Sequence, residues 1–142
     1  MAQILSQAEA DALISMPKRK VRDETIRLSL DTKINFKVVG EDALNKFIID
    51  IEIKGSLKTG LSIQGRLDTT NIVLMRLDVN PARPHKNPDD SVVRGSHIHR
   101  FSAEYGVKMA ESLDIDGLSL IECCKMFFKE FNVIDYPALE EK

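Results

Sequence analysis

The sequence is poor in cysteine, in long apolar runs and in net charge, and each shortage excludes something. Its 142 residues hold two cysteines, Cys123 and Cys124, side by side. Adjacent residues cannot readily bridge each other, so no disulfide framework is available. A reducing cytosol is the expected compartment. No apolar run exceeds five residues, far short of the roughly 20 that a membrane-spanning helix needs. No charged segment followed by an apolar stretch opens the chain, so no signal peptide is expected. The formal net charge is -2, unlike that of a generally basic nucleic-acid binder. The basic run Lys18, Arg19, Lys20 and Arg22 reads as a solvated linker. Glycine-rich phosphate loops and cysteine metal motifs are missing, as are repeats and low-complexity segments. What remains is ordinary globular composition, 43% hydrophobic and 30% charged. It predicts a single domain over 1–142 with a core of its own.

Two periodicities organise the chain. Ser6 and Glu9 form a capping box ahead of Ala8, Ala12, Leu13 and Met16 at helical spacing, and Pro17 stops that helix. From Thr25 to Val79 the period is two. Apolar residues alternate with polar ones around Ile26, Leu28 and Leu30, then Ile34, Phe36 and Val38. The same holds for Phe47, Ile49, Ile51 and Ile53, and for Leu61, Ile63, Gly65 and Leu67. Ile72 to Val79 is more uniformly apolar. Such alternation marks antiparallel strands with one buried face. A further strand is expected at Val92 to Phe101. Pro81, Pro84 and Pro88 make Asn80 to Ser91 a stiff loop. A C-terminal helix over about 118–132 stacks Ile121, Cys124, Phe127, Phe128 and Phe131 on one face, which reads as the lid of the core. Cys123 and Cys124 are then core thiols. The residues from Val133 onward read as a tail. The expected fold is α+β: an antiparallel sheet of five to six strands, with the C-terminal helix and a short N-terminal helix packed on it.

All three histidines fall between His85 and His99. On a strand, His97 and His99 share a face, as do Arg76 and Asp78. If the two strands pair, these four line one surface, with His85 above them on the proline loop. Several chemistries suit the set. His97 and His99 can act as general base and acid on an RNA phosphodiester, without a metal. Arg76 or Arg100 then stabilises the phosphorane charge and Asp78 orients an imidazole. Alternatively, His85, His97 and His99 ligate zinc with an open fourth position, Asp78 supporting them. A purely structural role, with the histidines holding the proline loop, explains the same residues.

Two resemblances attach to these motifs. The stretches Leu5 to Asp11, Arg76 to Pro81, His85 to Asp89, Gly95 to His99, Glu104 to Gly106 and Phe127 to Val133 resemble an uncharacterised family of small bacterial and prophage proteins with a G-[ST]-H-x-H signature. More distantly, Arg76, Asp78, Asn80, His85, His97 and His99 are similar to the pattern of TumE-like toxins of toxin–antitoxin systems. That resemblance implies a toxin-like cytosolic protein of a mobile element or toxin–antitoxin pair, a metal-independent endoribonuclease with catalytic His97, His99, His85, Arg76, Asp78 and Arg100. No cofactor is then required, with zinc the alternative. The expected partners are a protein (an antitoxin or a host defence protein) and RNA, with no membrane, and homodimerisation is allowed. The alternative function is a non-enzymatic, prophage-encoded binding protein, such as an inhibitor of a host defence nuclease.

Overall fold

A computed structural model describes residues 5–55 and 59–141. The first helix, α1 (Gln7–Ser15), begins where the capping box places it. Ser6 Oγ accepts from the Glu9 amide at 3.0 Å, and the Glu9 carboxylate accepts from the Ser6 amide at 3.0 Å. Then follow β1 (Lys18–Lys20), β2 (Thr25–Leu28), β3 (Thr32–Gly40), β4 (Lys46–Lys54), β5 (Gly60–Leu67) and β6 (Val73–Val79). The proline loop carries β7 (His85–Lys86) and β8 (Val92–Val93). After it come β9 (His97–Arg100), β10 (Ala110–Ser112), α2 (Leu120–Glu130), β11 (Val133–Asp135) and β12 (Ala138–Glu141).

The α+β class holds, but the main sheet has eight strands in the order β10-β9-β6-β5-β4-β3-β1-β11, not five or six. The extra strands β1, β10 and β11 have three residues each. Three residues are too few to show a period of two, and what holds them is main-chain pairing with longer neighbours. The sheet is also not purely antiparallel, because β1 runs parallel to β11. The strand expected at Thr25 to Leu30 lies outside this sheet and pairs in parallel with β12. The expected tail is therefore two strands. The strand expected over Val92 to Phe101 is two pieces, β8 pairing with β7 and β9 pairing with β6. The basic run is no solvated linker either: Lys18 is fully buried.

The apolar positions of the alternating strands form one face, with Phe36, Ile49, Ile51, Ile63, Leu77 and Ile98 buried there. Ala10 and Leu13 of α1 join that core, as do Cys123, Cys124, Phe127 and Phe128 of α2. Ser119 and Glu122 form a second capping box that starts α2. Ile121 is half-buried at the margin of the helix stripe. Phe128 meets Phe36 edge-on at 5.9 Å and Phe131 meets Phe47 edge-on at 5.8 Å, the geometry that aromatic quadrupoles favour. Burial pushes the Cys124 thiol up to about 12, so it is a packed apolar group and not a nucleophile.

At the C-terminal end of α2 two features lock together. Gly65 of β5 lies directly under the Phe131 ring. Lys18 Nζ donates to the carbonyls of Ile14 (2.9 Å), Met16 (2.9 Å) and Phe131 (2.7 Å), and sits 3.9 Å from the Phe131 ring centroid. One ammonium thus satisfies the exposed ends of both helices. Among the described residues, no helix is long and apolar enough to cross a membrane.

Candidate functional site

The face of the sheet opposite the core is polar, and strand register orders it into rows. One row reads Asn35, Asp50, Gln64, Arg76 and His99 across β3, β4, β5, β6 and β9. The next reads Lys33, Glu52, Ser62, Asp78 and His97. The pairing of β6 with β9 places Arg76 opposite His99 and Asp78 opposite His97. Arg76, Asp78, His97 and His99 therefore share one surface, as strand periodicity predicted.

The proline loop folds back over this surface. Asn80 opens it with a positive φ of 48°, a conformation asparagine tolerates better than most residues. Its amide donates to Ser96 Oγ at 3.0 Å. Asn87 is buried and behaves as a surrogate strand residue. Its Nδ2 donates to the Ala110 carbonyl at 3.0 Å and its Oδ1 accepts from the Ala110 amide at 2.8 Å. His85 thereby reaches the other two imidazoles, with ring centroids 4.8 Å from His99 and 5.5 Å from His97. His97 and His99 are 4.8 Å apart. Sequence reasoning did not single out Asn87, because its partner strand is too short to show a pattern. Asn87→Ala is expected to cost about 2 kcal/mol, because it strips both main-chain groups of Ala110 of partners. Hydrogen exchange checks this: protection at the Ala110 amide should fall while protection in β4 and β5 stays.

The cluster is buried but charged. His97 is 3% exposed and His99 4% exposed. Asp78 Oδ2 stands 3.2 Å from His97 Nε2 and 3.4 Å from His99 Nε2. Arg76 Nε donates to both Asp78 oxygens, at 3.0 and 3.2 Å. Burial pushes the Asp78 carboxyl upward. His97, His99 and Arg76 together outweigh burial and hold it well below the usual carboxylate range. The Asp78 carboxylate in turn raises His97. On its far side each imidazole meets a carbonyl. His97 Nδ1 is 3.0 Å from Gly95 O, His99 Nδ1 is 2.6 Å from Val107 O, and His85 Nε2 is 2.7 Å from Lys108 O. A carbonyl only accepts, so each of these nitrogens carries a hydrogen. His99 Nε2 is buried with no hydrogen-bond partner, its approach to Asp78 being poorly aligned.

Arg100 does not belong to this site. It follows His99 and so projects to the opposite face, where it pairs with Glu111 and, at 3.0 Å, with Glu130 of α2. The structure therefore does not bring Arg100 to the cluster that the sequence reading grouped it with. Arg76 is the cation the site does hold. Its side chain is 45% exposed, and it lines two adjoining hollows. One is a groove of about 760 Å³ that also touches Asn35, Asp50 and Gln64, and the other a cleft of about 370 Å³ that also touches Ser62, Asp78 and Asn80.

The family model described as "Family of unknown function (DUF6978)" matches residues 5–133, and the chain belongs to that family. No curated protein and no solved structure matches it.

Proposed function

We propose that this DUF6978 protein is a toxin-like protein that cleaves RNA at the Asp78–histidine cluster. One observation carries the reading: Arg76, Asp78, His97 and His99 occupy four adjoining positions on paired strands, beside two hollows that open on Arg76. Phosphodiester cleavage needs a cation where charge develops on the phosphoryl oxygens, and a half-exposed guanidinium supplies it. It also needs nitrogen groups that handle protons or hold an ion. Here three imidazoles converge, two of them beside a carboxylate that fixes their orientation. Asp78 is the positioning residue, since it touches Arg76 and both strand histidines. His97 and His99 are buried beside Asp78, and the member of the cluster that reaches both hollows is Arg76.

The test is incubation with total RNA between pH 5 and 8, once with chelator and once with added divalent metal. Fragmentation is expected. Arg76→Ala and His97→Ala should each slow it by about 100-fold, while Arg100→Ala, on the opposite face, leaves it unchanged. Intact RNA under every condition, from protein with native circular dichroism, overturns the reading. Intact RNA together with a stable complex between this protein and a bacterial nuclease would support the inhibitor alternative.

A further inference from the structure

We propose that His85, His97 and His99 form a binding site for one divalent transition-metal ion, zinc being the best match, with Asp78 as the fourth donor. The inference concerns the same residues as the RNA reading but stands whether or not RNA is the substrate.

The argument runs through the ring nitrogens. The carbonyls of Lys108, Gly95 and Val107 occupy one nitrogen of each imidazole. In the neutral rings this leaves lone pairs on Nδ1 of His85 and on Nε2 of His97 and His99. A ring nitrogen from each of the three lies within 4.8 Å of the other two. Two of those lone pairs face a carboxylate oxygen, at 3.2 and 3.4 Å. Acceptors facing an acceptor in a buried site are unfavourable without something positive between them. His99 Nε2 is buried without a hydrogen-bond partner. One divalent cation resolves the whole set. It takes three nitrogen lone pairs and one carboxylate oxygen, a donor set zinc commonly adopts.

The surroundings have the character of a metal site. Ligating histidines usually donate their second ring N–H to a carbonyl or carboxylate, which fixes tautomer and orientation. All three do so here. Tetrahedral zinc at its usual bond lengths needs nitrogens roughly 3.4 Å apart, so the cluster must tighten slightly. His85 is the residue able to move, being half-buried and carried on the loop. A bound ion would add Lewis acidity beside Arg76.

The experiment is calorimetric titration of zinc chloride into chelator-stripped wild-type protein, with cobalt titration followed by visible absorption as a second readout. One ion per chain is expected, with a Kd below about 1 μM. The cobalt form should show the intense visible bands of a four-coordinate ion. His85→Ala should weaken binding by about 100-fold, Asp78→Asn by about 10-fold, and Arg100→Ala not at all. Wild-type binding weaker than about 1 μM, or binding unchanged in His85→Ala and His97→Ala, overturns the proposal. Since the wild type is titrated directly, a variant that fails to fold does not blunt the test. Zinc bound with RNA left intact removes the RNA reading alone. RNA cleavage that resists chelation, in protein that binds no zinc, removes the metal proposal alone.

Discussion

Gly65→Ala should destabilise the protein by about 3 kcal/mol, the upper end of what overpacking costs. A Cβ built at Gly65 lies 2.3 Å from Phe131 Cε2, 2.6 Å from Cζ and 2.8 Å from Cδ2. Overlaps this deep are tolerable only if the ring can retreat. Phe131 cannot retreat easily. Its ring is fully buried, packs edge-on against Phe47 and lies 5.6 Å from Phe127. The main chain at the same residue is tied down by Lys18. Strand and helix would have to part, and the loss would spread into the core. Urea unfolding measures the effect. A second substitution identifies its cause: Phe131→Leu removes ring volume at the point of overlap. In the double variant the two losses should fall short of additive by about 1 kcal/mol or more. Strict additivity would show that Phe131 is not what the new methyl meets.

The second large effect is expected at Lys18. Lys18→Met keeps an apolar stem of similar length but removes the ammonium, leaving the carbonyls of Ile14, Met16 and Phe131 without that donor. Each buried orphan costs on the order of 1–3 kcal/mol, while methionine recovers the desolvation penalty of a buried charge. The balance favours a net loss of about 3 kcal/mol. Its pH dependence separates the charge from the packing. Burial lowers the Lys18 ammonium from the usual 10.5 to about 7. Between those values the unfolded chain binds a proton that the folded chain does not, so wild-type stability from this group rises as pH increases from 7 toward 10.5. The methionine variant has no such group. The stability gap between the two proteins should therefore widen from pH 7 to pH 9, by up to about 1.4 kcal/mol per unit. A gap that is constant or narrows across that range would contradict the assignment.

Strands β3, β4 and β5 were legible because each has at least eight residues and one dry face. Phe47 to Ile53 and Leu61 to Leu67 carry their own evidence of strand and side. Lys18 was illegible for the opposite reason. Lysine amid basic neighbours ordinarily means water, and only the meeting of two helix ends explains its burial. The same limit hid β11 and β12, whose partners β1 and β2 lie far away in the chain, while β10 is too short to show a period. At the site, the shared face of Arg76, Asp78, His97 and His99 followed from counting residues, since strand geometry converts spacing of two into adjacency. Arg100 failed by the same rule: one residue beyond His99 lies on the other side. Asn87 was hidden because its role depends on a partner strand, Ala110–Ser112, that sequence pattern does not reveal.

The parallel pairings β1–β11 and β2–β12 bear on how this molecule assembles. The hairpins from β3 to β6 join neighbours along the chain, so each closes only a short loop. The two parallel pairings join segments more than a hundred residues apart, and closing them restricts nearly the whole chain at once. Until they close, Lys18 has no Phe131 carbonyl to meet, and α2 has no anchored end to press on Gly65. Loop-closure entropy therefore predicts that the four-stranded meander forms from local contacts and that the two parallel pairings close after it.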